Sequence, residues 1–173
     1  MRVITCSLLS ALLATSLTAT AVADVPPVET REPLMVDRNA HYRVVYNIHS
    51  DATTAGVSSG LYYARGLLEA YRNQGVRPAQ VDSHLVLHGE AAFMLLKDDT
   101  YQAAVNDPFA FNPNAKIVQE LLDLGVHVEI CNSTMKSKGW RAEDVLPGVT
   151  IVHDAYTRII KLQNDGYAYV GGF

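Results

Sequence analysis

The sequence predicts one α/β domain, a mostly parallel sheet covered by helices on both faces. From about His41, short β-branched and aromatic runs alternate with amphipathic segments, which is the pattern of repeated strand–helix units. The chain has 173 residues, and the 150 that follow a predicted export signal are about the length of one domain with its own core. The predicted domain spans residues 41–173.

The first predicted unit is a strand over residues 43–48, followed by a helix over residues 60–73 that Gly75 ends. One face of that helix is formed by Leu61, Ala64, Leu68 and Tyr71. A second strand is predicted over residues 81–87. Residues 91–96 then form a short apolar turn or helix.

Residues 97–111 show no regular period, so no element is assigned to them. Asn112-Pro113-Asn114 then supplies the residues that start a helix, which Gly125 ends. The predicted apolar face of this helix is formed by Ile117, Leu121 and Leu124. A third strand over residues 126–130 leads directly into Cys131.

Cys131 therefore falls at a predicted strand-to-helix turn. Asn132, Ser133 and Thr134 are good N-cap residues for a short helix that ends near residue 138, before Gly139. The last predicted elements are a strand over residues 150–152, a helix over 153–164 and a short strand over 167–170. The side of that helix expected to face the sheet carries Tyr156, Ile159, Ile160 and Gln163.

The first 23 residues are predicted to be a secretory signal. Arg2 starts a short charged segment, residues 3–17 are largely apolar, and Ala21-Val22-Ala23 forms a cleavage site. A membrane anchor is the alternative, but the apolar stretch is short and interrupted by hydroxyl residues. Cleavage leaves no membrane anchor, removes Cys6 and makes the mature chain periplasmic or secreted. Residues 24–40, rich in proline and charge, form an extended leader.

The charge of the chain excludes one class of partner. Loss of the signal removes one of 14 basic residues and none of 18 acidic ones, which leaves a formal charge of −5. Nucleic acid and anionic membrane surfaces are therefore not expected partners. Neither a G-x-G-x-x-G nor a P-loop pattern is present, and no cofactor is expected.

Cys131 is the lone thiol of the mature chain. In an exported protein such a thiol is a buried side chain, an intermolecular linker or a reactive group. Sites in open parallel sheets form outside the carboxyl ends of the strands, and Lys136, Lys138 and Arg141 lie within a few residues. The position favours a reactive thiol, with a packed, inert one as the alternative.

Three histidines allow a second interpretation. His49, His88 and His153 each fall near the carboxyl end of a predicted strand, as Cys131 does. One cysteine with two or three histidines suits Zn or Cu. His88 could instead lie beside Cys131 and favour its thiolate, if the strand order allows it. His84 and His127 lie inside strands and His41 at a strand start, so these three are interpreted as packing or surface residues.

Five segments in order resemble the DsrE/DsrF-like family of sulfur-relay proteins. They are Val86-Leu87-His88-Gly89, Asn112-Pro113-Asn114, Leu124-Gly125-Val126 running to Glu129-Ile130-Cys131, Leu146-Pro147-Gly148-Val149, and Leu162-Gln163 running to Gly166-Tyr167-Ala168-Tyr169. The resemblance covers most of the mature chain. It implies a three-layer α/β/α fold with about five parallel strands, assembled as a trimer or hexamer.

The resemblance also implies a function for Cys131. In the sulfur-carrying members the matching cysteine accepts sulfane sulfur as a persulfide and hands it to an acceptor thiol. The partners implied are sulfur donor and acceptor proteins or small sulfur species. The expected supporting residues are His88, Gly89, Asn132, Ser133, Thr134 and Lys136. Two alternatives stay open: a non-catalytic oligomeric module that binds a small ligand or metal in the same crevice, and an assembly subunit with Cys131 buried.

Overall fold

A five-stranded parallel sheet forms the middle layer of this computed structural model, which describes residues 31–173. The predicted signal, with Cys6, and the first part of the predicted leader lie outside the described residues. The strands are β1 (Tyr42–Ile48), β2 (Thr53–Thr54), β3 (Val57–Ser58), β4 (Val81–Leu87), β5 (His127–Cys131), β6 (Thr150–Val152) and β7 (Ala168–Val170). The helices are α1 (Ser59–Asn73), α2 (Asp98–Val105), α3 (Ala115–Asp123), α4 (Asn132–Lys138) and α5 (Ala155–Asn164). Short 3₁₀ helices span Pro78–Gln80, Gly89–Leu95 and Ala142–Asp144.

The strand order is β6-β5-β4-β1-β7, and β2 and β3 form a separate antiparallel pair. β1 runs beside β4 over its whole length, with Tyr42 opposite Val81 and Ile48 opposite Leu87. β4, β5 and β1 occupy the interior of the sheet, while the three-residue strands β6 and β7 form its edges. The predicted mostly parallel, five-stranded sheet in a three-layer α/β/α fold is confirmed.

The two faces of the sheet follow from the alternation of side chains along each strand. On one face, α1 and α3 pack over a large apolar core that includes Ile48, Leu87 and Ile130. On the opposite face, α5 packs over a smaller cluster. Its buried members are Val45, Val86, Cys131, Ala155, Ile159 and Leu162.

The predicted strand over residues 81–87 and the one over 150–152 match β4 and β6 residue for residue. The segment over residues 97–111, left unassigned from the sequence, contains α2. This helix buries none of its residues and therefore carries no apolar stripe that a pattern could reveal. It ends at Asn106, whose left-handed backbone stops the helix.

The predicted buried face of α5 is wrong in part. Ile159 is buried, with Ala155 and Leu162, whereas Tyr156 and Ile160 are exposed. Two stripes with the same four- and three-residue spacing run one position apart along this helix, and the pattern alone does not choose between them. In α3 likewise, Leu124 lies outside the helix and is exposed, while Ile117 and Leu121 are buried.

The sequence predicted that Asn112 and Asn114 start α3, but neither side chain forms a cap hydrogen bond to this helix. The Asn112 amide donates to the carbonyl oxygens of Met94, at 2.9 Å, and Leu96, at 2.7 Å. Asn114 Oδ1 accepts from the backbone N–H of Ser58 at 2.7 Å. These buried amides therefore fasten separate loops together, which is why polar residues are tolerated there.

The end of the predicted leader is fixed to the body of the domain. Residues 31–41 contain no helix or strand. The backbone N–H of Val36 donates to Gln74 Oε1 at 2.9 Å, and the Gln80 amide donates to the carbonyl oxygens of Arg38 and Ala40. Within residues 31–173, no helix combines the length and apolar character needed to cross a bilayer.

Candidate functional site

The carboxyl ends of the parallel strands bring the predicted site residues to one edge of the sheet. His49 follows β1, His88 follows β4, and His153 follows β6. Cys131 ends β5, between β4 and β6, in register with Val152 of the edge strand. Leu87 pairs with Ile130, so the next residues, His88 and Cys131, leave neighbouring strands side by side. The sequence left the strand order open, and the structure shows that β4 and β5 are neighbours.

The Cys131 thiol is shielded from solvent. The residue is only 3% exposed and packs on the α5 face with Val86 and Ala155. It is the free cysteine of the described chain. A reagent or donor therefore reaches the sulfur only if part of this cover moves.

Two of the residues after Cys131 connect α4 to the ends of neighbouring strands, and none of them caps the helix. Cys131 itself occupies the N-cap position of α4, and no side chain caps that helix. Thr134 Oγ1 instead accepts from the backbone N–H of Gly89 at 3.1 Å, and the Ser133 hydroxyl donates to the His153 carbonyl at 3.3 Å. The predicted capping role of Asn132, Ser133 and Thr134 is therefore wrong, because these residues already lie inside the first turn. Two of them join α4 to the neighbouring strand ends.

Lys136 lies in the last turn of α4, where its side chain is exposed. The helix ends at Lys138, and Gly139 closes it with a left-handed backbone, as the sequence predicted. Two cations at this end stabilise the helix through its dipole. They also make the outer end of α4 positive.

His88 is held as a neutral imidazole. Its Nε2 lies 2.7 Å from Asn47 Oδ1 and donates to it, and its ring contacts those of His49 and Tyr156 at centroid distances of 5.0 and 5.1 Å. Burial lowers the pKa of His88, His49 lowers it further, and Asp154 offsets only part of this. The hydrogen bond of this ring goes to Asn47, so His88 does not act as a protonated partner of the Cys131 thiolate in this arrangement.

Gly89 allows His49 to approach this edge closely. Its φ is +56°, a left-handed conformation that glycine adopts without strain. A Cβ added there would lie 2.7 Å from both Cδ2 and Nε2 of the His49 ring. Any larger residue at this position would push the ring away, so Gly89 has a packing role as well as a turn role.

The structure does not gather His49, His88, Cys131 and His153 into one cluster of donor atoms. His49 and His88 contact each other, while His153 is exposed at the end of the edge strand β6. Among residues 31–173, the group whose ligand atoms lie within 4.8 Å of one another is Asp82, His84 and His127, at the opposite edge of the sheet. The sequence assigned the last two only packing or surface roles.

A cavity of about 520 Å³ adjoins Gly89 beside the end of α4. Glu90 and Lys138 place opposite charges on its walls, and Phe93 and Trp140 supply apolar surface. The sequence did not indicate this cavity, because its walls come from segments far apart in the chain. It offers a small molecule a binding surface next to the edge that holds Cys131.

The fold and the site together give the class of this protein. It is a three-layer α/β/α domain with a cysteine at the carboxyl edge of its parallel sheet. The chain belongs to the DsrE/DsrF-like family, whose model matches residues 45–171. The resemblance found in the sequence is thereby confirmed.

The solved structures that share this fold include two proteins of low sequence identity. One is a protein of unknown function, MTH1491, from Methanobacterium thermoautotrophicum, with 24% identity and a TM-score of 0.55 over 76% of this chain and 99% of that one. The other is the YchN protein from E. coli, with 16% identity and a TM-score of 0.55 over the same shares, 76% and 99%. At these identities the likeness establishes the fold alone. No curated protein matches the chain significantly.

Proposed function

We propose that this protein is an exported sulfur carrier whose Cys131 accepts a sulfane sulfur atom as a persulfide and passes it to an acceptor thiol. The observation that carries the proposal is the position of Cys131 in a chain of the DsrE/DsrF-like family. It ends an interior strand at the carboxyl edge of the sheet, where parallel α/β proteins form their sites.

The transfer consists of two balanced displacements. The Cys131 thiolate attacks the outer sulfur of a donor persulfide, R–S–SH; a new S–S bond forms, the donor S–S bond breaks, and R–S⁻ leaves and takes up a proton. An acceptor thiolate then attacks the outer sulfur of the Cys131 persulfide, and the Cys131 thiolate is the leaving group. The two steps move one sulfur between thiols without net oxidation, so the chemistry requires no cofactor.

The burial of Cys131 gives this carrier a closed resting state. The first turn of α5 covers the thiol through Ala155, and Asp154 caps that turn by accepting from the N–H of Thr157 at 3.1 Å. Opening of this turn would expose the sulfur to donor and acceptor. Between transfers the cover would shield the persulfide from oxidation, which matters in an oxidising compartment.

The neighbouring residues would position the thiol and the donor. The hydrogen bond between Gly89 and Thr134 joins the end of β4 to α4 and so fixes the turn that contains Cys131. Neutral His88 packs at the same edge. Lys136 and Lys138 place positive charge at the outer end of α4, which suits anionic sulfur species such as polysulfide or thiosulfate.

The proposal includes export and assembly. We propose that residues 1–23 are removed to leave Asp24 first, and that the mature chain is periplasmic or secreted. We also propose that copies of the chain associate through the exposed stripe on α5, which includes Tyr156 and Ile160. Exposed apolar side chains in such a group are typical of an interface.

The proposal is tested by a two-step transfer assay. Protein is incubated with polysulfide, freed of excess reagent and mixed with a small acceptor thiol, and the persulfide formed on the acceptor is measured. Wild-type protein is expected to transfer about one sulfur per chain, and Cys131→Ser none. Ser137→Ala, an exposed change on α4, is the matched control and should transfer as wild type. Equal transfer by Cys131→Ser would refute the proposal.

A further inference from the structure

Two histidines and a carboxylate meet near the amino-terminal end of β4 and β5. His84 Nε2 lies 3.6 Å from Asp82 Oδ1, and His127 Nε2 lies 3.8 Å from the same oxygen. The strand register places His84 directly opposite His127, and their rings stack with centroids 4.3 Å apart. The three ligand atoms therefore lie within 4.8 Å of one another, on the face of the sheet that α5 covers.

The protonation pattern of this cluster favours a cation. Arg158 forms a two-pronged pair with Glu129, at 2.9 and 2.7 Å, which keeps that buried carboxylate ionised. Glu129 Oε1 also lies 2.6 Å from His84 Nδ1, and Arg158 Nη2 lies 3.2 Å from the same nitrogen. Because an ionised carboxylate only accepts hydrogen bonds, the shorter contact makes Nδ1 the protonated nitrogen, which donates a hydrogen bond to Glu129. In a neutral imidazole the other nitrogen, Nε2, then presents its lone pair, and it points toward Asp82.

The surroundings match those of a built metal site. Metal-bound histidines commonly donate their second N–H to a carboxylate, which fixes the ring, and Glu129 does this for His84. The Tyr167 hydroxyl donates to the other oxygen of Asp82 and orients that carboxylate. His84 is buried, while the Asp82 and His127 side chains are partly exposed to solvent.

We propose that Asp82, His84 and His127 form a binding site for a divalent transition-metal ion, Zn²⁺ by the chemistry of its donors. Two imidazoles and one carboxylate are ligands that Zn²⁺ accepts, with a fourth position left open to water. Zinc–ligand distances of about 2.0–2.2 Å place tetrahedral ligand atoms about 3.3 Å apart. The observed separations need to shorten by only a few tenths of an ångström for the pairs that share Asp82 Oδ1.

This site is separate from the one proposed for sulfur. His127 and Cys131 are the first and last residues of β5, which places them about 13 Å apart along the strand. The metal would clamp β4 to β5 and, through Tyr167, the chain that follows α5. It neither needs the thiol nor competes with it.

Zinc binding is measured by calorimetric titration of tag-free mature protein, residues 24–173, that has been stripped with a chelator. Wild-type protein is expected to bind one Zn²⁺ per chain with micromolar or tighter affinity. His127→Ala, an exposed change, and Asp82→Asn, which keeps the side-chain shape, should each weaken binding by at least about 10-fold, the loss typical of removing even an outer partner. His49→Ala and His153→Ala, on the opposite edge, are the matched controls and should bind as wild type.

Cobalt provides a second measurement. Co²⁺ in this site should give visible absorption without a thiolate-to-metal charge-transfer band, since all three ligands are nitrogen or oxygen. Absence of stoichiometric Zn²⁺ binding by the wild-type protein would overturn the proposal. So would binding that survives both His127→Ala and Asp82→Asn, or a charge-transfer band that assigns the metal to Cys131.

Discussion

Cys131 combines a position at the end of a strand with a closed environment. The sequence placed it after a strand at the carboxyl edge of the sheet, and the structure confirms that placement. The sequence did not show that the side chain turns toward α5 and packs beneath Ala155. That burial depends on the direction of one side chain and on a helix more than twenty residues away, neither of which a local pattern contains.

Asp154→Ala is expected to increase the rate at which Cys131 is alkylated in folded protein. The variant removes the side-chain cap of α5 and loosens the turn that covers the thiol. The rate is measured by mass spectrometry with excess iodoacetamide under native conditions. Asp165→Ala, at the other end of the same helix, is the matched control and should leave the rate unchanged. An unchanged rate in Asp154→Ala would show that α5 does not gate the thiol.

His88 should make the stability of the protein depend on pH. Its pKa is lowered in the folded state, chiefly by burial, so the unfolded chain takes up the proton more readily. The resulting stabilisation is complete above the unfolded value of 6.5 and is lost as the pH falls through it toward the folded value. Urea unfolding of wild type and His88→Gln between about pH 5 and 8 measures this. As the pH falls, wild-type protein should lose free energy of unfolding relative to His88→Gln. A difference between the two proteins that does not change with pH would contradict the account.

At the scale of elements, two glycines of α1 should respond in opposite ways to the same substitution. A Cβ at Gly60 would lie 2.6 Å from Ile48, whereas nothing lies within 4 Å of one at Gly66. Gly60→Ala should therefore lower the free energy of unfolding by about 1–3 kcal/mol through overpacking. Gly66→Ala should raise it by about 0.5–1 kcal/mol, since alanine is the better helix former. Denaturant unfolding measures both, and effects of the same sign would contradict the packing of α1 on β1.

The two stripes of α5 offer a second matched pair. Ile159 is 5% exposed and Ile160 is 57% exposed. Ile159→Ala should lower the free energy of unfolding by about 2–5 kcal/mol, as for other core truncations. Ile160→Ala should change the monomer by no more than about 0.5 kcal/mol but weaken association, if copies meet on this helix. Urea unfolding and sedimentation measure the two effects. Undiminished assembly of Ile160→Ala would exclude this surface as the interface.

The accuracy of the sequence predictions follows from what each element buries. β4 is predicted to the residue because it ends in the apolar run Leu85-Val86-Leu87, which is buried from both faces of the sheet and stops at His88-Gly89. α2 is missed because it buries nothing, and the face of α5 is wrong in part because two stripes share one spacing. The polar side chains predicted to cap α3 and α4 also make contacts with distant segments, which a local pattern does not reveal, since a polar side chain serves either purpose equally well. They belong to Asn112, Asn114, Ser133 and Thr134.

At the scale of the whole molecule, one parallel sheet supports two chemically different edges. The carboxyl edge holds Cys131 and neutral His88, and the amino edge holds Asp82, His84 and His127. The first edge was predicted from the strand ends. The second was not, because its histidines converge only when β4 and β5 pair in one particular register. A carrier with its thiol at one end and a metal clamp at the other would separate transfer from stability.

The most direct measurement is the intact mass of the mature protein before and after treatment with polysulfide under native conditions. The account predicts that wild-type protein gains the mass of one sulfur atom, that the gain is removed by a reductant, and that Cys131→Ser gains none. No gain by folded wild-type protein, or an equal gain by Cys131→Ser, would contradict the assignment of Cys131 as the sulfur carrier.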